Sequence, residues 1–175
     1  QQNLLLTGLT REGIAHVESA FRAAGLTLPA DIAPMRRHSM ACPALPTCGL
    51  AITESERVMP QAMDALESLF RSLGVENEPL TIRMTGCPNG CARPYTADIA
   101  FVGRKPGERY NIYVGGGLAG DRVADLYAAD VQFGDFVATL GPLLRAWAKT
   151  RRPNESLSEF YHRIAETSAP RQKIT

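Results

Sequence analysis

Residues 80–102 of the chain read LTIRMTGCPNGCARPYTADIAFV, and this stretch decides the fold. It opens with the apolar run Leu80–Met84 and closes with Asp98–Val102, and short apolar runs bounded by turn-forming residues are typical of β-strands. The segment between these runs holds Cys87 and Cys91 and is rich in glycine and proline. The stretch therefore predicts two strands of one sheet with a cysteine-bearing loop between them.

The four cysteines of the chain form two pairs. Five residues separate Cys42 from Cys48, and three separate Cys87 from Cys91. Both pairs lie among prolines, which stiffen the backbone, and glycines, which permit positive φ. Loops of this kind can turn several thiolates toward one point, and the prolines limit which amides remain to hydrogen-bond to sulfur. We therefore expect the four sulfurs to converge on a single inorganic centre.

Three interpretations of these cysteines are open on spacing alone. They are small buried hydrophobic residues, ligands of a structural zinc ion, or ligands of a four-iron, four-sulfur cluster. Zinc ribbons usually place two to four residues between paired ligands, so the gap between Cys42 and Cys48 fits them poorly. Soft thiolates with a wider gap favour the iron–sulfur cluster.

Length and composition limit the organisation of the chain. With 175 residues and 45% apolar content, it can bury one core, and we expect a single domain over residues 1–175. The net charge of +1 favours neither nucleic acid nor a membrane surface as a partner. No secretory signal is recognisable, so we expect a cytoplasmic protein. The chain begins with Gln1 rather than Met, which we interpret as a sign of a piece of a longer polypeptide.

Apolar periodicity and turn signals predict the remaining elements. These are strands at Asn3–Leu6 and Tyr110–Val114, a turn at Gly103–Gly107, and helices over Arg11–Ala24 (capped by Thr10), Pro60–Leu73 and the segment with Phe136, Leu140, Leu143 and Trp147. A capping box formed by Ser156 and Glu159 predicts a last helix. The fold class is therefore α/β (α+β), with a single mixed sheet and flanking helices.

The glycine-rich loop Gly115–Gly120 satisfies G-x-G-x-x-G directly after a predicted strand. We reject a dinucleotide site because the motif needs a helix and then a parallel strand, whereas the sequence downstream predicts helix to its end. Amides of this loop could still approach an anionic carboxylate of a cofactor. His38, just before the first cysteine, fits a polar cofactor shell and a solvated loop about equally well.

Three segments resemble the siroheme-dependent sulfite and nitrite reductase family. They are SMAC at Ser39–Cys42, LPTCGLAITESER at Leu45–Arg57 and RMTGCPNGCARPY at Arg83–Tyr95. The resemblance extends from about Gln2 to Ile164 and is strongest to the hemoprotein (beta) subunits of assimilatory sulfite reductases. It implies the fold of a nitrite/sulfite reductase 4Fe-4S domain, bound to a 4Fe-4S cluster and a siroheme.

The same resemblance implies roles for the four cysteines and for three other residues of the segment Arg83–Tyr95. All the cysteines ligate the cluster, and Cys91 also gives its sulfur to the siroheme iron, which makes it the catalytic residue of the chain. Thr85 and Asn89 line the siroheme, and Arg93 meets a carboxylate of the macrocycle. The implied metal ligands are Cys42, Cys48, Cys87 and Cys91.

The implied reaction is the six-electron reduction of sulfite to sulfide, fed by a flavoprotein reductase subunit or by ferredoxin. Most of the basic residues that bind sulfite would come from the N-terminal remainder of the same polypeptide. Reduction of nitrite to ammonia by the same cofactors is the alternative reaction. A non-catalytic thiol or zinc-binding module is the alternative from a different class.

Overall fold

The computed structural model describes residues 5–168, and its centre is one five-stranded sheet whose strands lie side by side in chain order. The first strand pairs parallel to the second and the second parallel to the third, whereas the last two pairings are antiparallel. The strands are β1 (Met40–Ala41), β2 (Ile82–Thr85), β3 (Ile99–Lys105), β4 (Arg109–Val114) and β5 (Asp125–Gln132). The predicted mixed sheet is confirmed.

The described residues also form five α-helices. They are α1 (Arg11–Ala23), the single turn α2 (Pro34–Arg37), α3 (Met59–Ser72), α4 (Phe136–Thr150) and α5 (Leu157–Ser168). Short 3-10 turns at Pro29–Asp31, Pro94–Thr96 and Phe133–Asp135 link other elements. Within the described residues, no helix is both long and apolar enough to span a membrane.

The hydrophobic core lies between one face of the sheet and the helices α3, α4 and α5. Side chains alternate between the two faces of a strand, so Ile82 and Met84 of β2 point into this core while their neighbours point away from it. Phe136 of α4 stacks on Phe101 of β3 with ring centroids 4.0 Å apart. Trp147, three residues before the end of α4, is fully buried. The helices are thus fixed to one side of the sheet.

The region after the glycine-rich loop differs from the prediction. β5 lies there, so the expectation of helix from this loop to the end of the chain was wrong. The strand DLYAADVQ has no buried residue, and Asp130 has φ of 58°, which interrupts its pairing with β4. An irregular edge strand of this kind lacks the strict apolar alternation by which a strand is recognised in a sequence.

Two smaller expectations at other places also need correction. Of the strand predicted at Asn3–Leu6, Asn3 and Leu4 lie outside the described residues, and Leu5 and Leu6 are not in a strand. The strand β3 continues as far as Lys105, so the turn predicted to begin at Gly103 is shorter than expected. Gly103 lies inside this strand and packs closely against Thr53 and Gly86 of the cysteine loops.

Helix α1 begins as predicted but does not pack as predicted. Thr10 caps it, since its hydroxyl oxygen accepts the N–H of Gly13 at 3.1 Å. Yet no residue of the helix is buried, and Ile14, on its apolar face, is 45% exposed. The apolar stripe of α1 therefore has no cover among the described residues.

The last two helices are joined by a short polar segment. The predicted capping box is present, since the Ser156 N–H donates to Glu159 Oε2 at 2.8 Å and the Glu159 N–H donates to Ser156 Oγ at 3.2 Å. Glu155 links the helices further, because its backbone carbonyl accepts from the Trp147 indole and its carboxylate binds the guanidinium of Arg163. The hydrogen bond from Arg163 is the main cause that lowers the pKa of Glu155 to about 2.

We predict that Glu155→Gln makes the stability of the protein less dependent on acid pH. The folded pKa of about 2 lies below the ordinary value of 4.5, so the carboxylate stabilises the fold above about pH 4.5. This contribution is lost as the pH falls toward 2. In urea unfolding, the variant should be less stable than the parent at neutral pH, and the gap should close in acid. Glu166→Gln, on the exposed side of α5, is the control; a gap that stays constant with pH contradicts the assignment.

Candidate functional site

The two cysteine pairs meet at one edge of the sheet because of the parallel pairing of β1 and β2. Ala41 is in register with Met84, so the residues that follow each strand leave the sheet at the same end. Cys42 comes directly after β1, and Cys87 comes two residues after the end of β2. Loops at the carboxyl ends of adjacent parallel strands are the usual place for ligand sites in such sheets. We call residues 42–53 the first cysteine loop and residues 86–93 the second cysteine loop.

Backbone hydrogen bonds join the first cysteine loop to the second. The N–H of Cys42 donates to the carbonyl of Met84 at 3.1 Å, which extends the parallel pairing by one residue. The N–H of Gly86 donates to Cys42 Sγ at 3.3 Å. In return, the carbonyl of Gly86 accepts from Ile52 at 2.8 Å and from Thr53 at 3.1 Å. An amide that donates to a cysteine sulfur is the kind of bond that tunes iron–sulfur clusters.

Glycine is required where the two loops touch. A Cβ built on Gly86 would lie 2.6 Å from both the Cβ of Ala44 and the carbonyl oxygen of Thr53, which is closer than real contacts permit. A Cβ on Gly103 of β3 would collide with the Thr53 hydroxyl and the Gly86 carbonyl. The lack of a side chain at Gly86 and Gly103 thus lets three backbone segments pack together.

The four thiols differ in their exposure to solvent, and all are free. Cys87 is buried, Cys42 and Cys48 are half-buried, and Cys91 is exposed. The turn that presents Cys91 is tight, since the Arg93 N–H donates to the carbonyl of Gly90 at 2.7 Å. A ligand to a group that lies outside this chain would need such an exposed position.

No three Cys, His, Asp or Glu side chains of residues 5–168 form a group that could hold one metal ion. Four thiolates around a zinc ion would sit roughly 4 Å from one another, given bonds of about 2.3 Å. A polynuclear cluster is larger and holds its thiolates farther apart. Soft thiolates, with a backbone amide bonded to the sulfur of Cys42, are chemically suited to an iron–sulfur cluster.

The other predicted cofactor residues lie in or beside the second cysteine loop. Asn89 and Arg93 are exposed on either side of Cys91. Thr85 is fully buried at the end of β2, and its hydroxyl oxygen has no hydrogen-bond partner among the described residues. Such an orphaned buried hydroxyl indicates that an acceptor or donor is supplied from elsewhere. How these residues meet a siroheme remains a prediction at this point.

One residue of this region was quoted in the sequence motif but given no role. Arg83 lies two positions before Thr85 on β2 and is only 7% exposed. A charged residue inside an otherwise apolar strand, directly before the cysteines, was the signal that pointed to it. Its lack of an acidic partner became visible only with the structure.

The glycine-rich loop and the histidines lie outside the cysteine site. The N–H of Gly116 donates to the carbonyl of Ala97 at 2.9 Å, and the loop leads into the antiparallel strand β5. The rejection of a dinucleotide site therefore holds, although the predicted reason of continuous helix was wrong. His38 is exposed, and His162 lies 2.8 Å from the carbonyl of Gly115 through Nε2.

Comparison with known families bears directly on this site. Residues 33–168 match the family model of the nitrite and sulphite reductase 4Fe-4S domain. The chain belongs to this family. The matched range contains both cysteine loops and every strand of the sheet.

Relatives of this family member are named sulfite reductase (NADPH) hemoprotein beta-component. The protein from Methylobacterium nodulans is 47% identical over 159 residues, which cover 91% of this chain and 26% of the relative. That from Chromohalobacter salexigens is 44% identical over 177 residues, which cover 98% of this chain and 30% of the relative. The chain thus spans less than a third of the length of these relatives.

A solved structure supports the fold of the family domain. The structure of the Mycobacterium tuberculosis NirA protein matches 89% of this chain and 30% of its own, with a TM-score of 0.74 and 23% sequence identity. At that identity the match shows a shared fold. It agrees with the mixed sheet and flanking helices described above.

We predict that Gly86→Ala destabilises this family domain by forcing the cysteine loops apart. The added methyl group has no room beside Ala44 and Thr53, and overpacking of this kind costs about 1–3 kcal/mol of unfolding free energy. Urea unfolding measures the loss. Gly49→Ala is the matched control, because a Cβ there meets nothing within 4 Å. Equal stability of the two variants would contradict the close approach of the loops.

Proposed function

We propose that this chain is the C-terminal, cofactor-binding portion of a longer assimilatory sulfite reductase. In this proposal the sulfurs of Cys42, Cys48, Cys87 and Cys91 hold one 4Fe-4S cluster, which is coupled to a siroheme. The observation that carries it is the hydrogen bond from the Gly86 amide to Cys42 Sγ, because it joins the two cysteine loops at the ligand atoms themselves. Family membership and the names of the relatives support the same conclusion.

The exposed thiol of Cys91 suits a sulfur shared between two metal centres. Cys91 would hold the siroheme as well as the cluster, and a thiol that takes a group from outside this chain needs an exposed position. Cys91 alone among the four cysteines is exposed, and the tight turn at Gly90 holds it there. Together the cluster and siroheme supply electrons and a binding iron, which no protein side chain can provide.

The neighbours of Cys91 are suited to hold the macrocycle. Asn89 offers an amide with donors and an acceptor, and Arg93 offers a planar guanidinium for a macrocycle carboxylate. The buried hydroxyl of Thr85 lacks a partner within the described chain, which supports its assignment to the siroheme. These residues would fix the position of the ring and would not themselves carry electrons.

The remainder of the proposed polypeptide would cover apolar surface that this chain leaves open. The relatives are more than three times as long as the matched region, so a large part of the protein lies elsewhere. Leu118, Val123 and Leu126 near β5 are each more than half exposed, as is Leu26 after α1. Exposed apolar surface of this kind is typical of an interface. We assign most of the basic residues that bind sulfite to that missing portion.

Sulfite is the proposed substrate, and a flavoprotein reductase subunit or ferredoxin is the proposed electron donor. Four free thiols fit a reducing compartment, so we propose the cytoplasm as the location. The test is the turnover of sulfite and nitrite by the complete polypeptide with a reduced donor. Faster consumption of sulfite supports the proposal. Much faster consumption of nitrite would assign the protein to nitrite reduction. If metal analysis found one zinc per chain and no iron, both reductase assignments would be wrong and the chain would be a zinc-binding module.

We predict that Cys91→Ser in the complete protein disturbs the signals of both the siroheme and the cluster. A serine hydroxyl is a harder and poorer iron ligand than a thiolate, so the shared ligand is lost. Electron paramagnetic resonance and absorption spectra of anaerobically prepared protein measure the change. Cys48→Ser is the control, since it should alter chiefly the cluster. An unchanged axial signature of the siroheme iron in Cys91→Ser would contradict the bridging role.

A further inference from the structure

Arg83 is a buried cation without an acidic partner. It is 7% exposed, and no carboxylate of residues 5–168 lies within ion-pair distance of its guanidinium. The side-chain hydrogen bond that it makes runs from Nη1 to the sulfur of Met40, at 3.0 Å. A thioether is a weak acceptor, so most of the donors of this guanidinium remain without a strong acceptor.

A second arginine, Arg93, further destabilises the positive charge of Arg83. Burial lowers the pKa of Arg83, and the positive charge of Arg93 lowers it further. An unpaired buried charge is among the most destabilising features of a protein interior. Neither guanidinium has an ion-pair partner among residues 5–168, so an anion that binds both would relieve their repulsion.

The position of Arg83 indicates where this anion would come from. Ile82 and Met84 of β2 point into the helix-covered core, so Arg83 and Thr85 share the opposite face of the strand. Met40, the register partner of Arg83, lies beside it on β1. The hydroxyl of Thr85 is buried and has no partner. This face of β2, directly before the second cysteine loop, therefore carries a guanidinium without a strong acceptor and a hydroxyl without a hydrogen-bond partner among the described residues.

We propose that Arg83 is an anchor for a carboxylate side chain of the siroheme, which it holds together with Arg93 and the hydroxyl of Thr85. The inference rests on the proposed function, because it takes the siroheme as the group bound at Cys91. A tetrapyrrole with several carboxylates would bring an anion to the strand that leads into that loop. A planar guanidinium binds a carboxylate through two parallel hydrogen bonds, which a lysine cannot reproduce. Arg83 thereby sets the orientation of the ring and not the chemistry at iron.

The first test is titration of siroheme into the complete polypeptide that carries the cluster but no siroheme, followed by absorbance. We expect Arg83→Met to weaken binding about tenfold or more, as is typical for loss of a hydrogen bond to a charged group. Arg83→Lys keeps the charge and should fall between the parent and Arg83→Met. Arg145→Met, at an exposed arginine of α4, is the control for loss of one charge and should bind as the parent does.

The second test separates carboxylate recognition from a general effect on the fold. With siroheme methyl ester as the probe, the difference in affinity between the parent and Arg83→Met should shrink strongly, because the carboxylate charge is gone. Without siroheme, Arg83→Met should shift the midpoint of urea unfolding upward, since it removes an uncompensated buried charge. A residue with a merely structural role would move that midpoint downward.

The outcomes distinguish this inference from the proposed function. If the parent binds no siroheme, the proposed function fails and the inference fails with it. If the parent binds siroheme and Arg83→Met binds it equally well, the inference alone is overturned. The same holds if Arg83→Met lowers the affinity for the methyl ester by the same factor as the affinity for siroheme. A lower unfolding midpoint in Arg83→Met with unchanged siroheme affinity would assign the partner to an acid in the remainder of the polypeptide.

Discussion

The structure depends on the parallel pairing of β1 with β2, continued by the bond between the Cys42 sulfur and the Gly86 amide. These two residues are 44 positions apart in the chain. Without this pairing the cysteine loops would be two separate surface turns. With it, both cysteine loops leave the sheet at the same end, and Gly86 and Gly103 lack the side chains that would keep the backbone segments apart.

The two faces of the sheet differ in polarity: one packs against an apolar core, and the other carries buried polar side chains. One face packs against α3, α4 and α5 and supplies the apolar core that holds the strands rigid. The opposite face of β2 carries Arg83 and Thr85, which are buried and polar without adequate partners. A strand that presents unsatisfied polar groups directly before a cysteine loop is suited to the proposed anionic cofactor.

Much of this organisation could be predicted from the sequence. The proline and glycine residues around the cysteines indicated loops, the alternation at Tyr110, Ile112 and Val114 indicated β4, and the capping box indicated α5. Local patterns of this kind report on the residues that form them. The strand β5 was missed because its edge position and bulged pairing remove the alternation that marks a buried strand.

Other features depend on contacts between distant residues, and the sequence could not provide them. The requirement for glycine at Gly86 comes from Ala44 and Thr53, which lie far away along the chain. The missing counterion of Arg83 is visible only when every acid has a position. Likewise, α1 has a clear apolar stripe, but the stripe is not covered by the described residues. Local pattern predicted the helix and could not predict its partner.

In the proposed site, residues 42, 48, 87 and 91 together hold one polynuclear iron centre beside a siroheme. Anaerobic analysis of iron, zinc and acid-labile sulfide in the complete polypeptide, together with its absorption spectrum, tests it most directly. We expect labile sulfide, iron in excess of that sulfide by about one atom per chain, and the absorption of a tetrapyrrole. Stoichiometric zinc, with neither iron nor labile sulfide, would contradict it.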